Sequence, residues 1–216
     1  MECVRNKLIS CNQNVYVDQI ELKRLHINKK GIRVFGAAES FSNVDNKSNW
    51  SAIVMRRDLI VDGLSFGSTT IEGDDATENI VTMWKRLDRN DIACIFLDGL
   101  VVSMYNIIDG EKIFQLTGLP VVAITFRDSK GLEDSITHHF RSRTDKKLER
   151  YLALGNRESI LLRTGKRIYV RYWGSSYDIV KKLLDIFTLQ GAIPEPIRLA
   201  KLLARESGMH FLKNQK

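Results

Sequence analysis

The sequence predicts a mixed α/β fold: a three-stranded antiparallel meander, then parallel strands, with helices flanking the sheet. Three observations carry this. Three apolar runs, Ile32–Gly36, Trp50–Met55 and Leu59–Ile71, follow one another with only polar links between them. The periodicity then changes: apolar residues at 76, 80, 83, 84 and 87 lie on one helical stripe, and a new strand-like run follows at once. That run, Ile92-Ala-Cys-Ile-Phe-Leu-Asp-Gly99, is continuous and apolar, as a central strand buried on both faces should be. It ends in Asp98 at the carboxyl edge, where open α/β sheets collect ligands, and Gly99 lets the backbone turn there.

Taken in order, residues 1–30 are polar and end in a basic lead-in, His26-Ile-Asn-Lys-Lys30, and read as an N-terminal arm. Residues 41–49, rich in Ser, Asn and Asp, read as a loop between the first two strands. Arg56-Arg-Asp58 is a tight link, and Gly63 and Gly67 mark bends in a long third strand. Asp75 with Glu78 three residues later has the pattern of a capping box. Asn106–Thr117 reads as a helix closed by Gly118, and Leu119–Phe126 as a fifth strand. Two short charged helices are expected around 131–139 and 144–154, with His138 and His139 at the surface. Ser159–Arg163 and Arg167–Tyr172 read as a hairpin over Thr164-Gly-Lys166. Tyr177–Leu189 is an amphipathic helix, and Pro194–Ala204 a last one with prolines in its first turn. Beyond Gly208 the chain is polar and a frayed tail is expected.

A chain of 216 residues, 44% hydrophobic and 27% charged, suffices for one well-cored domain. With no internal repeat or linker, residues 31–206 are read as that domain, between the arm at 1–30 and a tail at 207–216. No apolar run approaches the length of a membrane span, and the first residues lack a signal-peptide core, so a cytoplasmic protein without a membrane partner is expected. Cys3, Cys11 and Cys94 have no metal-ligand spacing, which argues against a zinc site or a disulfide framework; Cys94 reads as a small core residue. A net charge of +7 favours an anionic partner, DNA or RNA before others. Arg141, Arg143, Lys146 and Lys147 make a locally basic stretch, either a solvated face or a phosphate-contacting surface. Trp173, beside Tyr172 and Gly174, is a candidate for stacking on a base.

A meander followed by alternating helices and strands is the order of a ribonuclease-H-like core. In that architecture carboxylates from the first strand, a following element and the fourth strand converge on Mg²⁺, a hard cation that takes oxygen ligands. Paired ions of this kind activate water and stabilise the leaving oxygen in phosphodiester cleavage. The candidates here are Glu39, Asp74, Asp75 and Asp98.

Five stretches make the comparison specific: Lys30-Gly-Ile-Arg-Val-Phe-Gly36, Gly73-Asp-Asp-Ala-Thr77, Phe96-Leu-Asp-Gly99, Thr117-Gly-Leu-Pro-Val-Val122 and Ile193-Pro-Glu-Pro-Ile-Arg-Leu-Ala200. In their order and spacing the chain resembles a largely archaeal family of unknown function related to endonuclease V, over about residues 24–206. The resemblance implies a nuclease dependent on Mg²⁺, with Mn²⁺ as the alternative ion, acting on nucleic acid near a deaminated or modified base. It makes Asp98 the fourth-strand metal ligand and offers Asp74 or Asp75 as an acidic group of the family's Gly-Asp-Asp motif; beside the resemblance, Glu39 is a further candidate carboxylate, and Arg198 and Lys201 are candidate phosphate contacts.

The chain departs from the family pattern at two positions. Ala38 stands where relatives carry an aspartate at the end of the first strand, and neighbouring Glu39 should point to the opposite face. Lys201 stands where relatives often carry histidine or aspartate, and an ammonium is a poor metal ligand. Two readings stay open: a metal-dependent endonuclease centred on Asp98, or a nuclease-like domain that lost its metal site and binds nucleic acid or a protein. Each carboxylate also has a plain reading, as a turn residue (Glu39, Asp98), a helix cap (Asp75, with Glu78) or a partner of the helix dipole (Asp74). Arg198 has one too, as an ion-pair partner.

Overall fold

The computed structural model describes residues 27, 29–44, 46–128, 130–140 and 144–213. Residues 1–26 and 28 of the N-terminal arm, Cys3 and Cys11 among them, the candidate contacts Arg141 and Arg143, and residues 214–216 lie outside them. Three strands, β1 (Arg33–Val44), β2 (Lys47–Arg56) and β3 (Val61–Thr70), form the antiparallel meander. Helix α1 (Ala76–Lys85) leads to β4 (Ile92–Asp98), which pairs in parallel with β1. A small hairpin, β5 (Val101–Val102) and β6 (Asn106–Ile107), precedes α2 (Gly110–Thr117) and β7 (Val121–Thr125), and β7 is parallel to β4. Helices α3 (Glu133–Phe140) and α4 (Thr144–Ala153) precede the hairpin of β8 (Glu158–Leu161) and β9 (Arg167–Trp173), which adds antiparallel to β7. Helices α5 (Tyr177–Phe187) and α6 (Glu195–Lys213) complete the described residues. The result is one seven-stranded mixed sheet in the order β3-β2-β1-β4-β7-β9-β8.

Strand alternation divides the core into two layers. Phe35 and Ala37 of β1 with Ile95 and Leu97 of β4 join Ile80 and Met83 of α1 and Ile113 of α2 on one face. Val34, Ala38, Cys94 and Phe96 face the other way, onto Leu183 and Phe187 of α5 and Ile197 and Ala200 of α6. Helix α6 can settle on β1 because Gly36 has no side chain, and a Cβ there would collide with Pro196. Ser51, opposite Ala38 in the β1–β2 register, donates its hydroxyl to Ala200 O at 2.5 Å and fixes the helix over that point. Cys94 is fully buried, as a core residue, and burial pushes its thiol pKa up.

Three expectations are corrected. Residues 41–49 are not a loop. β1 runs to Val44 and β2 starts at Lys47, because the polar residues there bond across the hairpin: Ser48 is buried and donates to Ser40 O at 3.2 Å, and Asn46 takes the turn with φ 54°. The second helix starts at Gly110 and not Asn106, since Asp109 is its N-cap and accepts from Lys112 N at 2.9 Å. The last helix does not end at Ala204 but continues to Lys213, with Gly208 in it lying close against the Asn49 side chain on β2. No described helix is long and apolar enough to cross a membrane.

Candidate functional site

The parallel pairing of β1 and β4 brings two carboxyl ends to one edge. Ala37 is in register with Leu97, so the next residues, Ala38 and Asp98, are neighbours. Alternation turns both toward α6. Asp98 is only 13% exposed, and its Oδ2 accepts from Lys201 Nζ on α6 at 2.7 Å. Ala38 is fully buried beside it. Lys201 reaches this point because the start of α6 is pinned: Pro196 lies over Gly36, and buried Glu195 accepts from Arg198 Nε at 2.8 Å. The Arg198 guanidinium is held above its ordinary pKa, first by that hydrogen bond and then by the Glu195 charge, with burial opposing. Arg198 therefore serves the helix start as an ion-pair partner.

Glu39 points the other way, as alternation requires. Its carboxylate accepts from Ser103 N, both oxygens at 3.0 Å, and from Ser103 Oγ at 2.5 Å. Ser103 Oγ then accepts from Thr69 Oγ1 at 2.6 Å, and Thr69 Oγ1 accepts from Trp50 Nε1 at 2.9 Å. This chain anchors a turn in which Ser103, Met104 and Tyr105 all have positive φ, at 42°, 53° and 67°. Left-handed backbone costs a non-glycine residue about 1–2 kcal/mol, so the turn needs its anchors. Two more hold it: Glu72 N donates to Ser103 O at 2.8 Å, and Lys147 Nζ donates to Tyr105 O at 3.1 Å.

The Gly73-Asp-Asp75 stretch is engaged elsewhere. Asp74 accepts from Lys147 Nζ at 2.6 Å and Arg150 Nη1 at 2.5 Å, both on α4. Lys147 is buried and also donates to Gly73 O, so its three ammonium donors are all used inside the protein. It is a tether between α4 and the loop before α1, whereas Lys146 is exposed on the same helix. Asp75 does not cap α1 with its side chain, so the expected capping box is absent. It accepts from Thr70 N and Oγ1 and from Asn106 Nδ2, the last at 2.6 Å, while Asn106 Oδ1 takes the helix N–H of Ala76 at 3.2 Å. Glu78 pairs instead with Lys112 Nζ at 2.6 Å. Of the adjacent histidines on α3, His138 is exposed and His139 Nε2 meets Glu72 Oε1 at 2.6 Å. Trp173 is partly buried: its ring packs on Gly110 and the core and also lines a cavity with Asp74, Glu78 and Arg150.

The four candidate carboxylates thus keep four separate sets of partners. Mg²⁺ demands oxygens at about 2.0–2.1 Å around one point, but Asp98 has an ammonium and a methyl group as its near neighbours. Among the described residues no group of three or more His, Cys, Asp or Glu converges. These residues do not fit a divalent metal centre built on Asp98.

Two arginines missed from the sequence lie nearby. Arg157, between α4 and β8, and Arg171 on β9 line a cleft with Asp98, Gly99 and Thr125. The signal was available in β9, whose Arg167-Ile-Tyr-Val-Arg171 alternation gives Arg171 one face of the strand. What the sequence lacked was the neighbour of that face, set by the β7–β9 pairing.

Comparison with known proteins agrees with this architecture. A UPF0215 protein of Pyrobaculum calidifontis is 36% identical over 168 residues, 77% of this chain and 92% of that protein. A crystal structure of a protein of unknown function from Archaeoglobus fulgidus is 26% identical, with a TM-score of 0.69, covering 81% of this chain and 97% of the other. Endonuclease V of Ciona intestinalis, solved with a 24mer DNA containing an inosine followed by a ribo-adenosine, shares 15% identity at a TM-score of 0.55, over 87% of this chain and 88% of that one. The fold is ribonuclease-H-like, and the sheet order and flanking helices expected of it are present. The endonuclease dU family profile matches residues 30–207, with the β1–β4 edge, the Gly-Asp-Asp stretch and the whole first turn of α6 inside the match, and the chain belongs to that family.

Proposed function

We propose that this protein is an endonuclease-V-like module that binds nucleic acid carrying a deaminated or modified base, and that an ion pair stands at its sheet edge in place of a metal centre. The observation that carries this reading is Lys201 Nζ on Asp98 Oδ2 at 2.7 Å, next to buried Ala38. An ammonium at that distance supplies the positive charge a carboxylate otherwise takes from a cation. The family description and the inosine-bearing DNA in the Ciona structure support a deaminated base as the feature recognised. The net charge of +7 supports a polyanionic partner.

Cleavage is the second reading. It is favoured by the family description and by Asp98 itself, held at the carboxyl end of a central strand beside Gly99. One experiment separates the two. Labelled strands containing uracil or inosine, and plain controls, are titrated with the protein with and without Mg²⁺ or Mn²⁺, and the same mixtures are run on denaturing gels. Tighter binding of the deaminated strands, independent of metal and without nicks, is the expected result. Metal-dependent nicks that vanish in Asp98→Ala would establish cleavage instead.

A further inference from the structure

Two guanidinium groups share a cleft with Asp98. A cavity of about 230 Å³ has Asp98, Gly99, Thr125, Arg157 and Arg171 in its lining. A wider one of about 530 Å³ shares Tyr151, Arg157 and Arg171 with it. Arg171 projects from β9, where it is opposite Ala123 of β7, and its Nε donates to Gly155 O at 2.8 Å. Among the described residues no carboxylate lies within ion-pair distance of Arg171. Arg157 lies over the Tyr169 ring at 5.5 Å and is 3.5 Å from Asp128, a carboxylate that is itself 71% exposed. The Arg157 side chain is only 17% exposed. Burial foremost, and the neighbouring Arg157 charge, hold the Arg171 guanidinium below its ordinary pKa, while Tyr151 acts against them.

Arg171 is drawn from water with the Arg157 charge beside it, and an anion held by both guanidinium groups relieves that cost. Arginine suits phosphate in particular, since its planar fork donates two parallel hydrogen bonds to a pair of phosphate oxygens. We propose that Arg157 and Arg171 form a clamp that holds a phosphate group, supplied by a nucleic-acid strand passing the Asp98 edge. The strand as the source of the phosphate rests on the function proposed above; the clamp itself rests on the arginine pair. Phosphate contacts of this type fix the register of a strand and do not read its bases.

The test uses the full chain with Arg171→Gln, Arg157→Gln and the conservative Arg171→Lys, all checked for folding by circular dichroism. Two probes are applied: a fluorescein-labelled uracil-containing single strand, read by anisotropy over a series of salt concentrations, and inorganic phosphate alone, read by ³¹P line broadening. The parent is expected to broaden the phosphate signal and bind the strand. Arg171→Gln and Arg157→Gln should each lose the broadening and weaken strand binding about tenfold, with a salt slope shallower by about 0.7 for one lost single-strand phosphate contact. Arg171→Lys should keep part of the affinity. Phosphate binding lost in the glutamine variants, with no strand binding by the parent, would uphold the clamp and overturn the nucleic-acid reading. Unchanged affinity and slope in both folded glutamine variants, or no binding of either probe by the parent, would overturn the clamp.

Discussion

Lys201 Nζ and Asp98 Oδ2 lie 2.7 Å apart across the carboxyl edge of β4, and the fully buried methyl group of Ala38 is the neighbouring position on β1. The pair neutralises the one candidate carboxylate that faces α6. Restoring ligands in its place should restore cation binding. The double variant Ala38→Asp with Lys201→His is expected to give a saturable heat with Mn²⁺ in calorimetric titration, where the parent gives none. Saturable Mn²⁺ binding by the parent that disappears in Asp98→Ala would show that the ion pair does not block a metal.

Glu39 is an anchor for the left-handed turn at residues 103–105 and not a partner of Asp98. Hydrogen bonds to a charged group contribute about 1.5–3 kcal/mol. Glu39→Ala should therefore lower unfolding stability by about 2–3 kcal/mol in urea titration. It should also open the segment around Met104 to limited proteolysis, since Met104 is already exposed at the surface. An unchanged midpoint would show that Glu72 and Lys147 hold the turn without it.

Gly36 is required by the approach of α6, because a Cβ there meets both the side chain and the backbone of Pro196. Overpacking of this kind costs about 1–3 kcal/mol. At about 2–4 °C per kcal/mol for a chain of this size, Gly36→Ala is expected to lower the melting temperature by several degrees. Gly99→Ala tests a different cause, since a Cβ there meets nothing and only its φ of 84° is strained.

The edge strand β3 is tied to β1 and to the link before β4 by a cluster of charges: Arg33 and Arg89 bracket Asp62 and Asp91. The hydrogen bond from Arg89, foremost, holds the Asp91 carboxyl below the usual carboxylate range. A depressed folded-state pKa adds stability above the ordinary unfolded value near about 3.9, and that stability is lost as pH falls through the folded value. Arg89→Met should flatten the fall in stability between neutral pH and acid below the ordinary carboxylate pKa. Because the groups are partly exposed, the change should stay under about 1 kcal/mol and shrink with salt. An acid limb identical to the parent's would contradict the assignment.

The sheet was legible wherever burial imposed a period. Trp50–Met55 and Ile92–Leu97 are strands because their side chains fill both layers, and the stripe at 76, 80, 83 and 84 is a helix because one face of it meets the core, although the helix stops at Lys85, short of the expected Leu87. Residues 41–49 and the segment beyond Gly208 were not legible, because partners distant in sequence stabilise them. Ser48 bonds back to Ser40 across the hairpin, and Gly208 rests on Asn49. Composition marks such residues as loop formers and carries no record of who sits opposite.

For the site, residue order was enough to bring Asp98 to the carboxyl edge of a central strand, to turn Glu39 away from Ala38, and to mark Lys201 as a departure from the family pattern. These follow from the twofold repeat of a strand and from residue identity, which are local properties. The partners of each charge were decided only in three dimensions. Lys201 lies 103 positions from Asp98, Lys147 lies 73 from Asp74, and Ser103 lies 64 from Glu39. A carboxylate is held by whichever cation or hydrogen-bond donor the packing of α6, α4 or the 103–105 turn brings within reach, about 4 Å for an ion pair, and no local pattern in the chain encodes that packing. The same holds for Arg157 and Arg171, which become a pair only when β9 joins β7 at the edge of the sheet.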